Sequence, residues 1–247
     1  MNHLPQRSYD LILFDFDGTL YDSEEHFDRY LGYVSDRIPD QRDALLADYQ
    51  AVLSGTSTLK VGSHVSTDYG SFYIGDYWWI IQALGVQHGA KPEDLEASFL
   101  QTRTYMMNHP HETRLIAGLA PWLKETAATG RPICCLATNS PEQDSSVILQ
   151  ALGVRDFFAD ITYAAQKPKN TQAILARLCE QFSVKPDRIL SIGDHYFNDV
   201  EPAQQFGADG LFINRHHVSH PRDCTYEVDR SEQLIAFLQA LTAPAQD

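Results

Sequence analysis

The sequence predicts an α/β protein, a core built on a parallel sheet and interrupted early by a smaller all-helical domain. Three observations carry this expectation. Short apolar runs of strand length occur near the start of the chain and again throughout its second half, where stretches of helical periodicity separate them. Between the first run and the second, over residues 22–112, apolar residues recur mainly at three- and four-residue steps. Acidic, hydroxyl and lysine residues stand just after the apolar runs, where open parallel sheets hold their ligands.

Residues 9–14 are nearly all apolar and read as a strand covered on both faces. From Ser23 the spacing of Phe27, Tyr30, Leu31, Val34 and Ile38 predicts a helix, which Pro39 ends. The next helix carries Leu45, Leu46, Tyr49 and Leu53 as far as Gly55. Residues 56–75 have no sustained period, and either a functional loop or a small hairpin would account for their glycines, hydroxyls and aromatics. Helices follow over 76–86, with Trp78, Ile81 and Leu84, and over 92–107, with Leu95, Phe99, Leu100 and Met106. The insert is therefore expected to be helical over 22–112, leaving 1–21 and 113–247 as the core.

From Leu115 strand and helix alternate. Helices are expected at 120–129, 141–152, 171–182, 200–206 and 232–241, and strands at 132–137, 158–163, 188–192 and 210–213. Gly130 and Gly153 mark two helix ends. Strands separated by helices of this length imply a Rossmann-like parallel sheet with helices on both faces.

The chain has 247 residues, with 33 acidic against 19 basic side chains and a net charge of -14. Such a surface repels nucleic acid and anionic lipid but leaves room for a small phosphorylated ligand near a local cation. Cys134, Cys135, Cys179 and Cys224 form no CxxC pair and read as free thiols of a reducing compartment. No signal-peptide core or membrane-length apolar run is visible, so a cytoplasmic protein is expected. The oligomeric state has no signature.

The strand ends collect the chemistry. Asp15 and Asp17 follow the first strand and leave the same face, with Gly18 allowing a sharp turn. Thr138, Asn139 and Ser140 follow the second, Lys167 and Lys169 lie beyond the third, and Asp194 and Asp199 follow the fourth. Carboxylates crowded together need a cation or a shared proton. Hard oxygen donors suit magnesium, with Asp15, Asp194 and the Asp17 carbonyl expected to bind it directly. A carboxylate can attack phosphorus if the metal and a lysine, here Lys167, neutralise the transferring oxygens. Thr138, Asn139, Gly18 and nearby backbone N–H groups, including the start of the helix near Pro141, would hold the phosphoryl oxygens.

These residues resemble the haloacid dehalogenase superfamily. DFDGT at 15–19 matches its first motif, Thr138 its second, Lys167-Pro168 its third and GDHYFND at 193–199 its fourth. The resemblance implies a phosphatase of the phosphoglycolate phosphatase-like kind, with a helical cap inserted after the first motif and Mg2+ bound by Asp15, Asp17, Asp194 and Asp199. It also implies Asp15 as nucleophile and Asp17 as general acid, then base. Relatives that cleave carbon–halogen bonds lack the second aspartate, so Asp17 points to phosphoryl transfer. The third motif reads KPKN, with Lys169 where many relatives have proline, which leaves Lys167 and Lys169 as candidates for the phosphate-facing lysine. The expected activity is hydrolysis of a small phosphorylated metabolite through an aspartyl phosphate. A phosphomutase of the same family, or a non-catalytic binding module, is the alternative.

His216, His217 and His220, and likewise His109 and His111, are expected in solvated loops rather than at a zinc site. Trp78, Trp79, Tyr73 and Tyr77 are expected in the cap core. His64, Tyr69, Asp76 and Arg103 are candidates for substrate selection there.

Overall fold

The apolar runs become central strands because helices cover both of their faces. The computed structural model describes residues 4–68, 70–219 and 224–243, and the chain divides into one unit of residues 1–22 and 113–247 and another of 23–112. In the first unit β1 (Leu11–Phe14) is followed, after the second unit, by α5 (Leu119–Thr129), β4 (Ile133–Ala137), α6 (Glu142–Ala151) and β5 (Asp160–Thr162). Then come α7 (Thr171–Phe182), β6 (Ile189–Gly193), α8 (Glu201–Phe206), β7 (Asp209–Ile213), β8 (Tyr226–Val228) and α9 (Ser231–Thr242). The sheet order is β5-β4-β1-β6-β7-β8, with every pairing parallel.

The alternation within β1 decides which helices it meets. Leu11 and Leu13 pack with Cys135 and Ala137 of β4 and with Ile174, Leu175 and Leu178 of α7. Phe14, on the opposite face, meets Trp122 of α5 at 6.2 Å and Phe158 at 6.1 Å between ring centroids. Burying each such side chain contributes about 1.5–3 kcal/mol. The indole N–H of Trp122 donates to the Leu238 carbonyl at 2.8 Å and ties α5 to α9. Burial in β4 pushes the Cys135 thiol up to about 12 and raises that of Cys134 as well, and all four cysteines are free.

One strand had no readable signal. Tyr226–Val228 is three residues long with Glu227 at its centre, too short to show a period, yet it pairs with β7 in register Leu211↔Tyr226.

The second unit contains α1 (Glu25–Arg37), α2 (Arg42–Leu53), α3 (Tyr77–Gln87) and α4 (Pro92–Asn108). Its expected all-helical character is corrected by a hairpin of β2 (His64–Thr67) and β3 (Gly70–Tyr73). Val65 faces Phe72 and His64 faces Tyr73, cross-strand pairs that favour a sheet, whereas Ser66 and Ser71 hide the alternation behind hydroxyls hydrogen-bonded at 2.7 Å. The 56–75 stretch is thus a small hairpin rather than an unstructured loop.

Of the residues singled out in this unit, Asp76 caps α3 by accepting the Trp79 N–H at 3.1 Å. Arg103 is buried, His64 stands on the hairpin against Tyr73, and Tyr69 lies outside the described residues. Trp78 is buried, while Tyr73, Tyr77 and Trp79 are half-buried. Among the described residues no helix is long and apolar enough to cross a membrane.

Candidate active site

Five segments of the first unit converge at the carboxyl edge of its sheet. Asp15 continues the line of β1, and its N–H donates to the Ile192 carbonyl of β6 at 2.9 Å. The chain then turns, with the N–H groups of Thr19 and Leu20 both donating to the Phe16 carbonyl, at 3.2 and 3.0 Å. Gly18 is required there twice over. Its φ is +75°, and a Cβ would stand 2.0 Å from Oδ2 of Asp194.

Lys167 joins two of the segments. Its Nζ donates to Asp15 Oδ1 at 2.7 Å and to Asp199 Oδ1 at 2.6 Å, and both Lys167 and Asp199 are buried. Lys169 is exposed, whereas Lys167 is the lysine that touches Asp15 and Asp199. Asp199 lies in a π-helical turn, Tyr196–Val200, a form common at functional sites. Its Oδ2 accepts the His195 N–H at 3.2 Å and fills the space that a Cβ on Gly193 would need, only 2.2 Å away. His195 itself accepts the Asn198 N–H at 3.2 Å through Nδ1, and burial lowers its pKa.

Asp15, Asp194 and Asp199 each offer an oxygen within 4.8 Å of the others. They are the one metal-capable group of three or more side chains among the described residues. Burial pushes the Asp15 carboxyl up to about 7, against the pull of Lys167, with Asp199 and Asp17 adding to the rise. Burial opposes the charge on Lys167, but the fields of Asp15 and Asp199 and their hydrogen bonds outweigh it and hold the ammonium protonated. Three carboxylates against one ammonium leave an excess of negative charge that a hard divalent cation would balance, and an all-oxygen donor set fits magnesium.

Asp17 is treated differently. Its carboxylate accepts hydrogen bonds from the Tyr21 hydroxyl, from Ser140 Oγ at 2.7 Å and from Thr138 Oγ1 at 3.4 Å. Its carboxylate is not part of the group formed by Asp15, Asp194 and Asp199, and the metal contact expected of Asp17 is through its backbone carbonyl.

The Asn139 amide brackets the Lys167 backbone, donating to the carbonyl at 3.0 Å and accepting the N–H at 2.7 Å, so its side chain shapes the lysine loop. Thr138 is buried at the end of β4, and its Oγ1 also accepts the Ser140 N–H at 3.0 Å. The helix expected from Pro141 starts at Glu142, and Glu142 and Asp144 in its first turn already complement its dipole.

Two participants were not read from the sequence. Tyr21 ends the stretch assigned to the core, and nothing in its spacing marks its hydroxyl for Asp17. Arg215, whose Nη1 donates to the Gly18 carbonyl, follows β7 by two residues, and the rule of reading every strand end would have found it. His216 and His217 are exposed and His109 stacks on Tyr105, none of them in a metal-capable group among the described residues. His220 lies outside those residues.

Comparison with known proteins gives a consistent picture. Residues 9–207 match the family model of haloacid dehalogenase-like hydrolases. A phosphoglycolate phosphatase of Vibrio vulnificus is 27% identical over 211 residues, covering 83% of each chain. The HAD hydrolase YfnB of Bacillus subtilis, solved bound to magnesium, superposes with a TM-score of 0.61 at 19% identity, over 94% of this chain and all of the other. A 2-haloacid dehalogenase of Pseudomonas syringae shares the fold as well, with a TM-score of 0.53 at 17% identity over 93% and 98% of the two chains. The fold alone therefore does not choose between these chemistries.

Proposed function

The chain belongs to the haloacid dehalogenase-like hydrolases, and from that premise we propose that it hydrolyses the phosphate monoester of a small metabolite through an aspartyl phosphate on Asp15, with magnesium as cofactor. The observation that carries this reading is the second aspartate. Asp17 stands two residues from Asp15, and its carboxylate is oriented by Tyr21, Ser140 and Thr138 instead of being tied to Lys167. A separately held carboxylate is what a general acid requires, and carbon–halogen cleavage has no leaving oxygen to protonate.

In the first step a carboxylate oxygen of Asp15 attacks phosphorus, and the bond from phosphorus to the ester oxygen breaks. The leaving oxygen takes its proton from Asp17. In the second step Asp17 removes a proton from water, the water oxygen attacks phosphorus, and the bond to Asp15 breaks to release inorganic phosphate. Lys167, held protonated between Asp15 and Asp199, neutralises charge on the transferring oxygens. Thr138 and the backbone N–H groups beside it supply hydrogen bonds to the same oxygens. Asp15, Asp194 and Asp199, with the Asp17 carbonyl, would hold magnesium, whose charge supports the phosphoryl group when bound.

The net charge of -14 favours a small anionic substrate brought in with a local cation over a nucleic-acid polymer. Phosphoglycolate and sugar phosphates are the first compounds to assay. The magnesium-loaded protein is expected to release phosphate from p-nitrophenyl phosphate, and Asp15→Asn is expected to abolish release while leaving the melting transition in place. Undiminished turnover by Asp15→Asn would remove Asp15 as nucleophile.

A further inference from the structure

The turn after β7 carries a charged group that the proposed chemistry does not use. Arg215 donates through Nη1 to the Gly18 carbonyl, while its Nη2 is buried with no acceptor among the described residues. The Gly18 carbonyl is thus the hydrogen-bond acceptor that fixes this guanidinium. A half-buried guanidinium with one nitrogen shut off from solvent and its hydrogen bond on a single backbone oxygen ties the placement of that oxygen to the turn after β7.

The turn that presents Arg215 is held from several directions. The Asn214 N–H donates to the Val228 carbonyl at 2.7 Å, and the His217 N–H donates to the Asn214 carbonyl at 3.1 Å. The Asn214 amide accepts the Val218 N–H at 2.8 Å and donates to the Val218 carbonyl at 3.0 Å and to Glu227 Oε1 at 2.7 Å. A side chain rising from so firmly held a base loses little freedom in reaching its acceptor.

The other side of Gly18 meets the metal-capable group, since Asp194 Oδ2 occupies the place where a Cβ would be. The residue is therefore fixed by its carbonyl on Arg215 and by its Cα against Asp194. The peptide carrying the Asp17 carbonyl joins directly to this residue, so a rotation at Gly18 moves that carbonyl relative to Asp194. We propose that Arg215 is a positioning residue for the metal-binding edge of the site, holding the Asp17–Gly18–Thr19 turn in register with Asp194. The proposal rests on reading that edge as the magnesium site.

The test is magnesium binding by titration calorimetry beside phosphate release from p-nitrophenyl phosphate, for Arg215→Met and Arg215→Lys. Arg215→Met is expected to weaken magnesium binding about tenfold and to lower kcat about tenfold at saturating metal, with KM for the ester within about twofold of wild type. Arg215→Lys retains a donor and is expected to recover part of both losses. Magnesium affinity and kcat within about twofold of wild type in a folded Arg215→Met would overturn the proposal. Should Arg215→Met fail to fold, Arg215→Lys decides, and wild-type magnesium binding by it would overturn the proposal equally. A wild-type protein that binds magnesium without releasing phosphate would remove the hydrolytic reading and leave the calorimetric comparison standing. One that binds no magnesium would overturn both.

Discussion

Replacing Asn139 with alanine separates two roles for a residue beside the proposed phosphate site. Its amide oxygen accepts the Lys167 N–H at 2.7 Å and its amide nitrogen donates to the Lys167 carbonyl at 3.0 Å, so the change removes both bonds at once. Each bond contributes about 0.5–1.5 kcal/mol, and a backbone group left buried without a partner costs about 1–3 kcal/mol. A loss of about 2–4 kcal/mol follows. For a chain of this size that lowers Tm by about 5–15 °C. The freed loop also lets Lys167 leave Asp15 and Asp199, so kcat should fall and inhibition by inorganic phosphate should weaken together with the loss of Tm. Thermal melting, steady-state kinetics and phosphate inhibition together provide the assay. An unchanged Tm with phosphate inhibition weakened tenfold or more (about 1.4 kcal/mol) would refute the bracket and make Asn139 a phosphate ligand.

Tyr21→Phe removes one hydroxyl from Asp17 and leaves the ring in its buried place against Phe16. It should lower kcat with little change in KM, by about tenfold if that bond orients the general acid, measured on an activated and an unactivated ester. The unactivated ester, which needs the acid more, should lose more. Gly18→Ala forces a Cβ to within 2.0 Å of Asp194 at a φ of +75°. It should weaken magnesium binding and turnover together, seen by calorimetry and phosphate release. Arg177 pairs with Asp160 at 2.7 Å, and its hydrogen bond holds the Asp160 carboxyl below the usual range. The folded-state pKa is depressed, so this contribution is fully present above about pH 4 and is lost as pH falls through the folded value. Because Arg177 is 44% exposed, Arg177→Ala should cost only about 0.2–1 kcal/mol near pH 7, with the two denaturation midpoints converging in acid.

The parts of the fold visible in the sequence are those whose signal is local. Thr171–Phe182 is legible to the residue from its amphipathic stripe, and β1, β6 and β7 are legible because strands covered on both faces are continuously apolar. The β2–β3 hairpin is ambiguous in the sequence because Ser66 and Ser71 share one face with His64 and Tyr73 while only Val65 and Phe72 mark the other, and β8 is illegible because three residues cannot show a period. The same distinction holds in the site. Asp15, Lys167, Asp194 and Asp199 follow strands and could be gathered by one topological rule, whereas Tyr21 is recruited by the course of the turn after Gly18 and no spacing announces it.

The two aspartates of the first motif began as an equivalent pair on one face of a strand, and their surroundings make them unequal. Asp15 shares Lys167 with Asp199 and belongs to the metal-capable group, so its state is set by charge: burial raises its pKa, the ammonium opposes the rise, and a bound cation would oppose it further. Asp17 is held by three hydroxyls, so hydrogen-bond direction fixes its orientation. Nucleophilic attack needs a carboxylate kept ionised by neighbouring positive charge, and proton transfer needs one whose direction toward the leaving oxygen is fixed. The turn that runs from Phe16 through Thr19 separates these demands within three residues. Gly18 permits it, Asp194 closes it on one side and Arg215 on the other. A change at any of those three residues should therefore disturb both aspartates together, whereas changes at Lys167 or Tyr21 should disturb one.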